Sequence, residues 1–506
     1  MLLINPPVAK PCEPPAGIAR LAGALIANGI DCTLVDLSQE CLLDQFDQQL
    51  SPVDTWSRRA LKHKDRYLDD LRSLSLYQSP DRYQRAISDL GRILTVIGDT
   101  SDCDISFANF NERTQSPLSS GDLLQSARCP ESNLFYPFFS RRLETIIQKY
   151  NPGSIGVSFS YLSQALTGFA ILGFIRKRYP EVQTIAGGGL LTSWMNSPNW
   201  NEPFRGLIDH CIKGAGESEL LHLYGKERAT ILGTFNYDDF HLQHYLSPGL
   251  ILPYSASAGC YWKKCRFCPD HAEDTAYVAK PVSESIAELK TLISAYNPVL
   301  LHLLDNAISP ALLKALIDSP PAVPWYGFCR FEKDLESLDF CLSLKKSGCV
   351  MLKLGLESGS QQVLDRLHKG IRLDRVEIVL DNLRCAGIAT YIYLLFGTPA
   401  ETESDALKTL DFVKRQSESI TFFNLAIFNM PICGPEADGV VDRFTDGDLS
   451  LYCDFIHPHG WDRKTVRNFL DKQFRKDPCI REIDRRNPPV FGSNHAPFLV
   501  PPDAVS

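Results

Sequence analysis

The chain has 506 residues, more than one hydrophobic core usually organises, so two or three domains are expected. At 44% hydrophobic and 22% charged the composition is globular, and the net charge of −8 argues against a general nucleic-acid binder while leaving a local basic patch open. No run reaches the ~18 apolar residues of a membrane span, and the first residues lack a basic signal-peptide region, so a cytoplasmic chain with no membrane partner is expected.

The first elements read strand, loop, helix, strand. Leu2-Leu3-Ile4 is a short buried strand, and Pro6, Pro7, Pro11, Pro14 and Pro15 stiffen the loop after it. Gly17 to Asn28 places Ile18, Leu21, Ala22, Leu25 and Ile26 on one helical face, and Gly29 stands where a C-cap glycine would. Cys32 to Asp36 is the next strand, completing a βαβ unit of parallel type. Residues 41–148 read as a mostly helical insertion, including Arg82 to Gly98 and Pro137 to Tyr150. The alternation resumes with a strand at Ser154 to Ser158, a helix at Gln164 to Tyr179, a strand at Gln183 to Ala186 running into Gly187-Gly188-Gly189, and a strand at His210 to Lys213 followed by Gly214-Ala215-Gly216-Glu217. The expectation is an α/β chain whose residues 1–235 form a doubly wound, Rossmann-like domain.

A second alternation starts near residue 250. Strands are expected at Leu250–Ala256, Leu300–Leu304, Trp325–Cys329, Val350–Gly355, Ala389–Leu395 and Ile420–Phe428. Amphipathic helices lie between them, such as Ser283–Tyr296, Leu335–Lys346, Leu373–Ala386 and Glu403–Gln416. Six strands with intervening helices predict a partial (β/α)6 barrel over 246–435, with ligands at the C-terminal strand ends. A small helical extension, 436–506, completes the chain. In it Trp461–Lys476 reads as one helix stopped by Pro478, and Ser493-Asn494-His495-Ala496-Pro497-Phe498 reads as an extended end that either folds over the barrel mouth or simply docks.

Sixteen cysteines in a chain of this kind are expected to be reduced, and a close cluster of them to bind metal. Cys260, Cys265 and Cys268 lie within nine residues, just after a strand. Soft thiolates bind iron–sulfur clusters or zinc. A structural zinc would want a fourth ligand, which His271 offers. Three thiolates on a barrel loop would instead leave the fourth iron of a cubane open. Cys12, Cys32, Cys329, Cys341, Cys349 and Cys385 stand alone and read as small apolar side chains. His241 and His244, at helical spacing, read as linker or surface residues.

This loop resembles that of the radical S-adenosylmethionine (SAM) superfamily, whose spacing is Cys-x3-Cys-x2-Cys with an aromatic before the last cysteine. Phe267 takes the aromatic place, while the first interval here is one residue longer. The resemblance implies a 4Fe–4S cluster on Cys260, Cys265 and Cys268, with SAM at the open iron. It places Asp305, after the second strand, near the SAM amino group, although the family's Gly-Gly-Glu is absent. Leu354-Gly355-Leu356-Glu357-Ser358-Gly359-Ser360 resembles the ribose-binding segment, with Glu357 and Ser358 as candidates; an ion pair is the other reading of Glu357. Arg330 is a candidate for the SAM carboxylate or a salt bridge across the mouth. Lys369-Gly370 and Phe396-Gly397-Thr398-Pro399 match segments common in this branch.

In the N-terminal half, Asn5-Pro6-Pro7, Pro15-Ala16-Gly17, Gly187-Gly188-Gly189 and Gly214-Ala215-Gly216-Glu217 are similar to the cobalamin-binding domain that precedes many radical SAM cores. The likeness covers about 1–40 and 150–225. It implies that Ser158 and Ser160 hydrogen-bond the cobalamin nucleotide tail and that Gly187, Gly188, Gly189, Gly214 and Glu217 line its site. The Asp-x-His-x-x-Gly motif that supplies a cobalt ligand elsewhere is absent. The family chemistry is reductive cleavage of SAM followed by hydrogen abstraction, here with cobalamin-dependent methylation of an unactivated centre. It implies an electron donor such as flavodoxin or ferredoxin, and a substrate that the sequence does not name. The alternatives are SAM radical rearrangement or cyclisation without methyl transfer, a non-catalytic cobalamin or SAM sensor, and a structural zinc protein.

Overall fold

The computed structural model describes residues 1–52, 54–227, 233–434, 446–487 and 495–501. The chain forms two compact units. One is built on Met1–Pro253 and takes in Asp446–Leu451; the other begins at Tyr254 and includes the C-terminal helices.

The first unit carries a five-stranded parallel sheet. Its order is Thr33–Asp36, Leu2–Asn5, Ser154–Ser158, Gln183–Gly187, His210–Cys211. The second and third strands of that row, Leu2–Asn5 and Ser154–Ser158, run side by side with Ile4 opposite Val157. Numbered along the chain the order is 2-1-3-4-5, so the direction of winding reverses between these two strands. Ligands of such sheets sit outside the carboxyl ends at that reversal. The helix Ala16–Ala27 buries Ile18, Ala22 and Leu25, and ends at Asn28 before Gly29, whose φ of +72° closes the turn. The expected strand at His210–Lys213 is limited to His210–Cys211. The insertion holds helices Leu37–Asp47, Thr55–Asp70, Pro80–Thr100, Ser120–Arg128 and Tyr136–Tyr150. It also holds a hairpin, Cys103–Ile105 against Phe110–Glu112, which the sequence reading lacked because strands of three residues show no alternation.

The second unit carries a six-stranded sheet whose strands follow chain order: Ile251–Tyr254, Leu300–Leu303, Trp325–Cys329, Cys349–Glu357, Ala389–Phe396 and Phe422–Ile427. The unit boundary falls inside the first of these strands. From Leu300 onward the pairings are parallel. Helices Val282–Tyr296, Pro310–Asp318, Leu338–Lys346, Leu373–Ala386 and Glu403–Arg415 make the crossovers. Leu352, Leu354 and Leu356 alternate onto one face and are fully buried, as a helix-covered sheet requires.

Two readings, of Pro478 and of the lone cysteines, need correction, and of the two readings of His495 one is found. Pro478 does end one helix, Arg463–Lys472 with a following turn at Phe474–Lys476, but it also begins another, Pro478–Arg486. Asp477 caps it by accepting from the Cys479 amide, and proline is favoured at a first helical position because its missing N–H has no partner to lose there. His495 is buried against Tyr391 and Phe422, near the N-terminal ends of their strands, so it docks there and does not cover the mouth. Ser493 and Asn494 lie outside the described residues. Cys12, Cys329, Cys341 and Cys349 are buried as expected, whereas Cys32 is half-buried and Cys385 exposed.

Candidate metal and cofactor site

The cysteine loop is an excursion closed at its base. Ser257–Ala258 pairs antiparallel with Val278–Ala279. Gly259 starts the loop at φ +74°, and a Cβ there would come within 2.5 Å of the Ala276 carbonyl oxygen. The loop then docks on the segment after the fourth strand. The Trp262 indole donates to the His368 carbonyl at 3.1 Å, and the Arg266 amide donates to Leu367 at 3.1 Å. Gly370, at φ +71°, gives the indole its place: a Cβ would sit 2.1 Å from the Trp262 ring.

Arg330 lies behind the loop. Its guanidinium stacks on Trp262 with 4.3 Å to the ring centroid, donates to the Lys369 carbonyl at 2.5 Å, and reaches to 4.0 Å from Cys265 Sγ. Glu332 is 3.8 Å away and accepts from Tyr261 of the loop. Arg330 therefore braces the cysteine loop. Asp305 does the same at the base, accepting from Ser257 Oγ at 2.5 Å and the Ala256 amide at 3.2 Å, with its carboxyl pushed up by burial.

Glu357 ends its strand at φ +67°, just after a register shift in the ladder. It forms a buried ion pair with Lys369 at 2.9 Å, and Lys369 also lies over the Phe267 ring at 5.6 Å. Gly355 makes room for this pair, since a Cβ there would come 2.4 Å from Glu357 Oε1 and 2.6 Å from Lys369 Nζ. Of the two readings of Glu357, the ion pair is present, and it is buried. Ser358 is fully buried, takes the Ser360 amide on its hydroxyl, and lies 3.3 Å from Thr409 of the helix Glu403–Arg415, so its side chain is committed to the scaffold.

Burial raises the Cys265 thiol, and the charges of Lys369 and Arg330 oppose that rise. The Cys268 thiol is pushed up to about 11 by burial, with Asp270 adding to it. A soft cation that displaces the thiol protons would remove this desolvation penalty in part. Among the described residues no three His, Cys, Asp or Glu side chains converge as ligands of one metal ion. His271 turns its Nδ1 to the Lys263 carbonyl at 3.2 Å. A cubane asks less convergence of its ligands, because each thiolate binds a different iron. The donor set fits it: three soft thiols on one loop, with two cations at hand.

An apolar wall stands beside the loop. Phe428, Met430 and Cys453 form a buried cluster against which Phe267, Leu395 and Phe455 pack. The turn Gly397–Glu401 is fixed by Glu401, which accepts from the Gly397 amide at 2.6 Å and Trp461 Nε1 at 2.8 Å. Burial pushes its carboxyl up to about 8.

In the first unit, Ser158 pairs across the sheet with Gly187. The Ser160 amide donates to Gln164 Oε1 at 2.8 Å, and the buried Gln164 amide bridges Asn5 Oδ1 at 2.8 Å and the Pro6 carbonyl at 2.9 Å, spanning the reversal of winding. The three glycines differ. Gly188 has φ +102°, and a Cβ there would meet the Phe159 carbonyl oxygen at 2.3 Å; it serves chain packing, not ligand approach. Gly189 has nothing within 4 Å of its would-be Cβ, and Gly187 only ordinary contacts. Gly214, at φ +75°, also faces open space and donates its amide to Thr192. Glu217 is buried against Arg20 at 2.6 Å, an ion pair to the first helix. His241 and His244 lie with ring centroids 5.3 Å apart and tilted by 32°, His241 lying 3.9 Å from Glu40, and gather no metal-ligand set among the described residues.

The sequence reading missed Trp262, Gly370 and Gly355, and gave Lys369 no role. Lys369-Gly370 was visible as a segment, but its link to the loop is a tertiary contact with no local periodicity to announce it.

No protein-family model matches the chain. A bacteriochlorophyllide d C-12(1)-methyltransferase from Chlorobaculum tepidum is 32% identical over 109 residues, which is 21% of this chain and only 23% of that protein. Two solved structures are similar over far more. The cobalamin-dependent SAM radical enzyme OxsB, with aqua-cobalamin and SAM bound, superposes with a TM-score of 0.60 at 12% identity, over 96% of this chain and 70% of that one. The radical SAM methyltransferase TsrM from Kitasatospora setae, with tryptophan substrate and a SAM analogue bound, superposes with a TM-score of 0.51 at 15% identity, over 85% and 73%. The chain thus has the fold of cobalamin-dependent radical SAM enzymes.

Proposed function

We propose that this chain is a cobalamin-dependent radical SAM enzyme that methylates an unactivated centre. The observation that carries the reading is the cysteine loop braced by Arg330 and Lys369 at the carboxyl end of a sequentially ordered parallel sheet. On this reading residues 1–235 are a cobalamin-binding, Rossmann-like domain, 246–435 a partial (β/α)6 barrel, and 436–506 a helical extension. Cys260, Cys265 and Cys268 would hold a 4Fe–4S cluster, and cobalamin would lie at the strand ends near Ser158, Gly187 and Gly189, without a protein histidine. When bound, the cluster supplies the electron that cleaves SAM and cobalamin supplies the methyl group.

The residues of this chain do the positioning. Arg330 and Trp262 hold the cysteine loop to the backbone at 367–370. Lys369 and Arg330 place positive charge beside Cys265, favouring its thiolate. Asp305 fixes the loop's base. Glu357, with a second carboxylate oxygen beyond its bond to Lys369, is the acceptor for ribose hydroxyls. The Phe267, Phe428 and Met430 wall excludes water beside the loop.

The test is anaerobic reconstitution followed by titration with hydroxocobalamin and gel filtration. Wild type should retain cobalamin at near one per chain. Gly189→Val should lose most of it while keeping its iron, because the side chain would enter open space at the strand ends. Gly188→Val is unsuited to this test, since it would collide with Phe159. Wild type that retains no cobalamin would leave radical chemistry without methyl transfer as the reading.

A further inference from the structure

A strap crosses the turn that follows the fifth strand of the second sheet. Residues 454–462 run from the short strand Tyr452–Cys453 to the helix Arg463–Lys472 without regular structure of their own. Ile456 is 71% exposed and His459 also faces solvent, while His457 and Trp461 are buried. These two buried residues anchor the strap on the turn Gly397–Glu401. His457 Nδ1 accepts the His459 and Trp461 amides, both at 3.2 Å, so Nε2 carries the proton and donates to the Thr398 carbonyl at 2.8 Å. Trp461 Nε1 donates to Glu401 Oε2 at 2.8 Å. Phe455 of the strap packs on Phe428, with ring centroids 5.8 Å apart, in the apolar wall that includes Phe267.

Both anchors suit one protonation state. Glu401 is completely buried, and among the described residues no cation pairs with it. Asp405, on the helix Glu403–Arg415, adds a like charge, and Lys408 of that helix is taken up by Asp405 at 2.8 Å. Arg366 is spent on the Ala400 carbonyl at 3.3 Å. Glu401 Oε1 and the buried Thr398 Oγ1 have no hydrogen-bond partner. An ionised Glu401 would have two N–H donors on one oxygen, none on the other and no counter-charge, a setting in which burial favours the neutral acid. His457 faces His459 and Asp462 of the strap itself, and burial lowers its pKa. An imidazolium there would turn an N–H at Nδ1 against two amide donors.

We propose that residues 454–462 are a proton-controlled strap, held on the turn by the neutral acid of Glu401 and released as that acid ionises, which bares the wall beside the cysteine loop. This goes beyond the functional reading and does not depend on it, since no strap residue is assigned to the cluster, SAM or cobalamin. The direction follows from linkage. With the strap closed the Glu401 carboxyl titrates at about 8; with the strap away it is in water and titrates near its ordinary 4.5. Closure is therefore strongest at low pH and weakens, by up to about tenfold per pH unit, as pH rises toward the closed-state value. His457 acts oppositely: its share is complete above the ordinary histidine range and is lost as pH falls below it. Above about pH 6.5, of these two groups, Glu401 alone still titrates.

The experiment is hydrogen–deuterium exchange of the full-length, cluster-reconstituted protein at about pH 6.5 and about pH 8.5, on either side of most of the Glu401 titration. Wild type is compared with Glu401→Gln at each pH, so that intrinsic exchange rates cancel. Glutamine keeps an acceptor for Trp461 and Gly397 and cannot ionise. From the lower to the higher pH, wild-type peptides within 454–462 should lose about tenfold or more protection relative to Glu401→Gln. Peptides from the strand Cys349–Glu357 should show no such difference. The same pH response in both proteins, no response in wild type, or a loss spread evenly over the second unit would overturn the inference. If Glu401→Gln does not fold, infrared difference spectra of wild type over the same range decide it. A protonated-carboxyl band should then disappear as pH passes about 8, and a spectrum that loses no such band would overturn the inference.

Discussion

The Glu357 carboxylate and the Lys369 ammonium are 2.9 Å apart, with their side chains 11% and 9% exposed. Removing one partner of such a pair leaves a buried charge without its counter-charge, at a cost of about 3–5 kcal/mol. Glu357→Ala alone therefore mixes two effects, loss of the proposed ribose acceptor and an uncompensated Lys369. A double variant, Glu357→Leu with Lys369→Met, separates them, because it removes the acceptor and the buried charge together. Thermal unfolding should show the single Glu357→Ala variant strongly destabilised and the double variant largely recovered. SAM affinity should stay about 30–150-fold weaker in both, the equivalent of about 2–3 kcal/mol of lost hydrogen bonding. Affinity that recovers along with stability would make Glu357 a scaffold residue. The sequence showed Glu357 at a strand's end but not its partner, because a contact between residues 357 and 369 depends on how the intervening helix turns back. Gly188 was legible as a glycine in a run of three; that its side-chain space is filled by Phe159 was not.

At the scale of elements, the cysteine loop is held by docking on the backbone from Leu367 to Gly370 more than by its own short helix, Pro269–Ala272. Gly370 is the position where this docking is tightest. A substitution there meets both a left-handed backbone, φ +71°, and the Trp262 ring. Gly370→Ala should cost about 1–3 kcal/mol from strain and overpacking. The loss should fall on the loop, so reconstituted protein should release iron on gel filtration while far-ultraviolet circular dichroism stays near wild type. Full iron retention would show that the loop does not depend on this contact. The main strands and crossover helices were legible because buried apolar runs, most of four residues or more, alternate with amphipathic helical stretches whose ends carry glycine, proline or capping side chains. The helix Pro478–Arg486 was not, because Pro478 was read only as a stop. The Cys103–Glu112 hairpin was not, because its strands have three residues each.

At the scale of the molecule, each unit was legible as an alternation of strand and helix, and the 2-1-3-4-5 winding of the first sheet and the sequential order of the second had to come from the structure. The cysteine motif gave the chemistry a place, and the sheets give it a setting of the kind seen in the OxsB and TsrM folds. The central claim is that Cys260, Cys265 and Cys268 hold a cluster with one iron open to SAM. It is tested most directly by electron paramagnetic resonance of the reduced, anaerobically reconstituted protein, recorded with and without SAM. The account predicts a reduced-cluster signal that changes when SAM is added and is absent in Cys265→Ala. A signal indifferent to SAM, or one undiminished in Cys265→Ala, would contradict it.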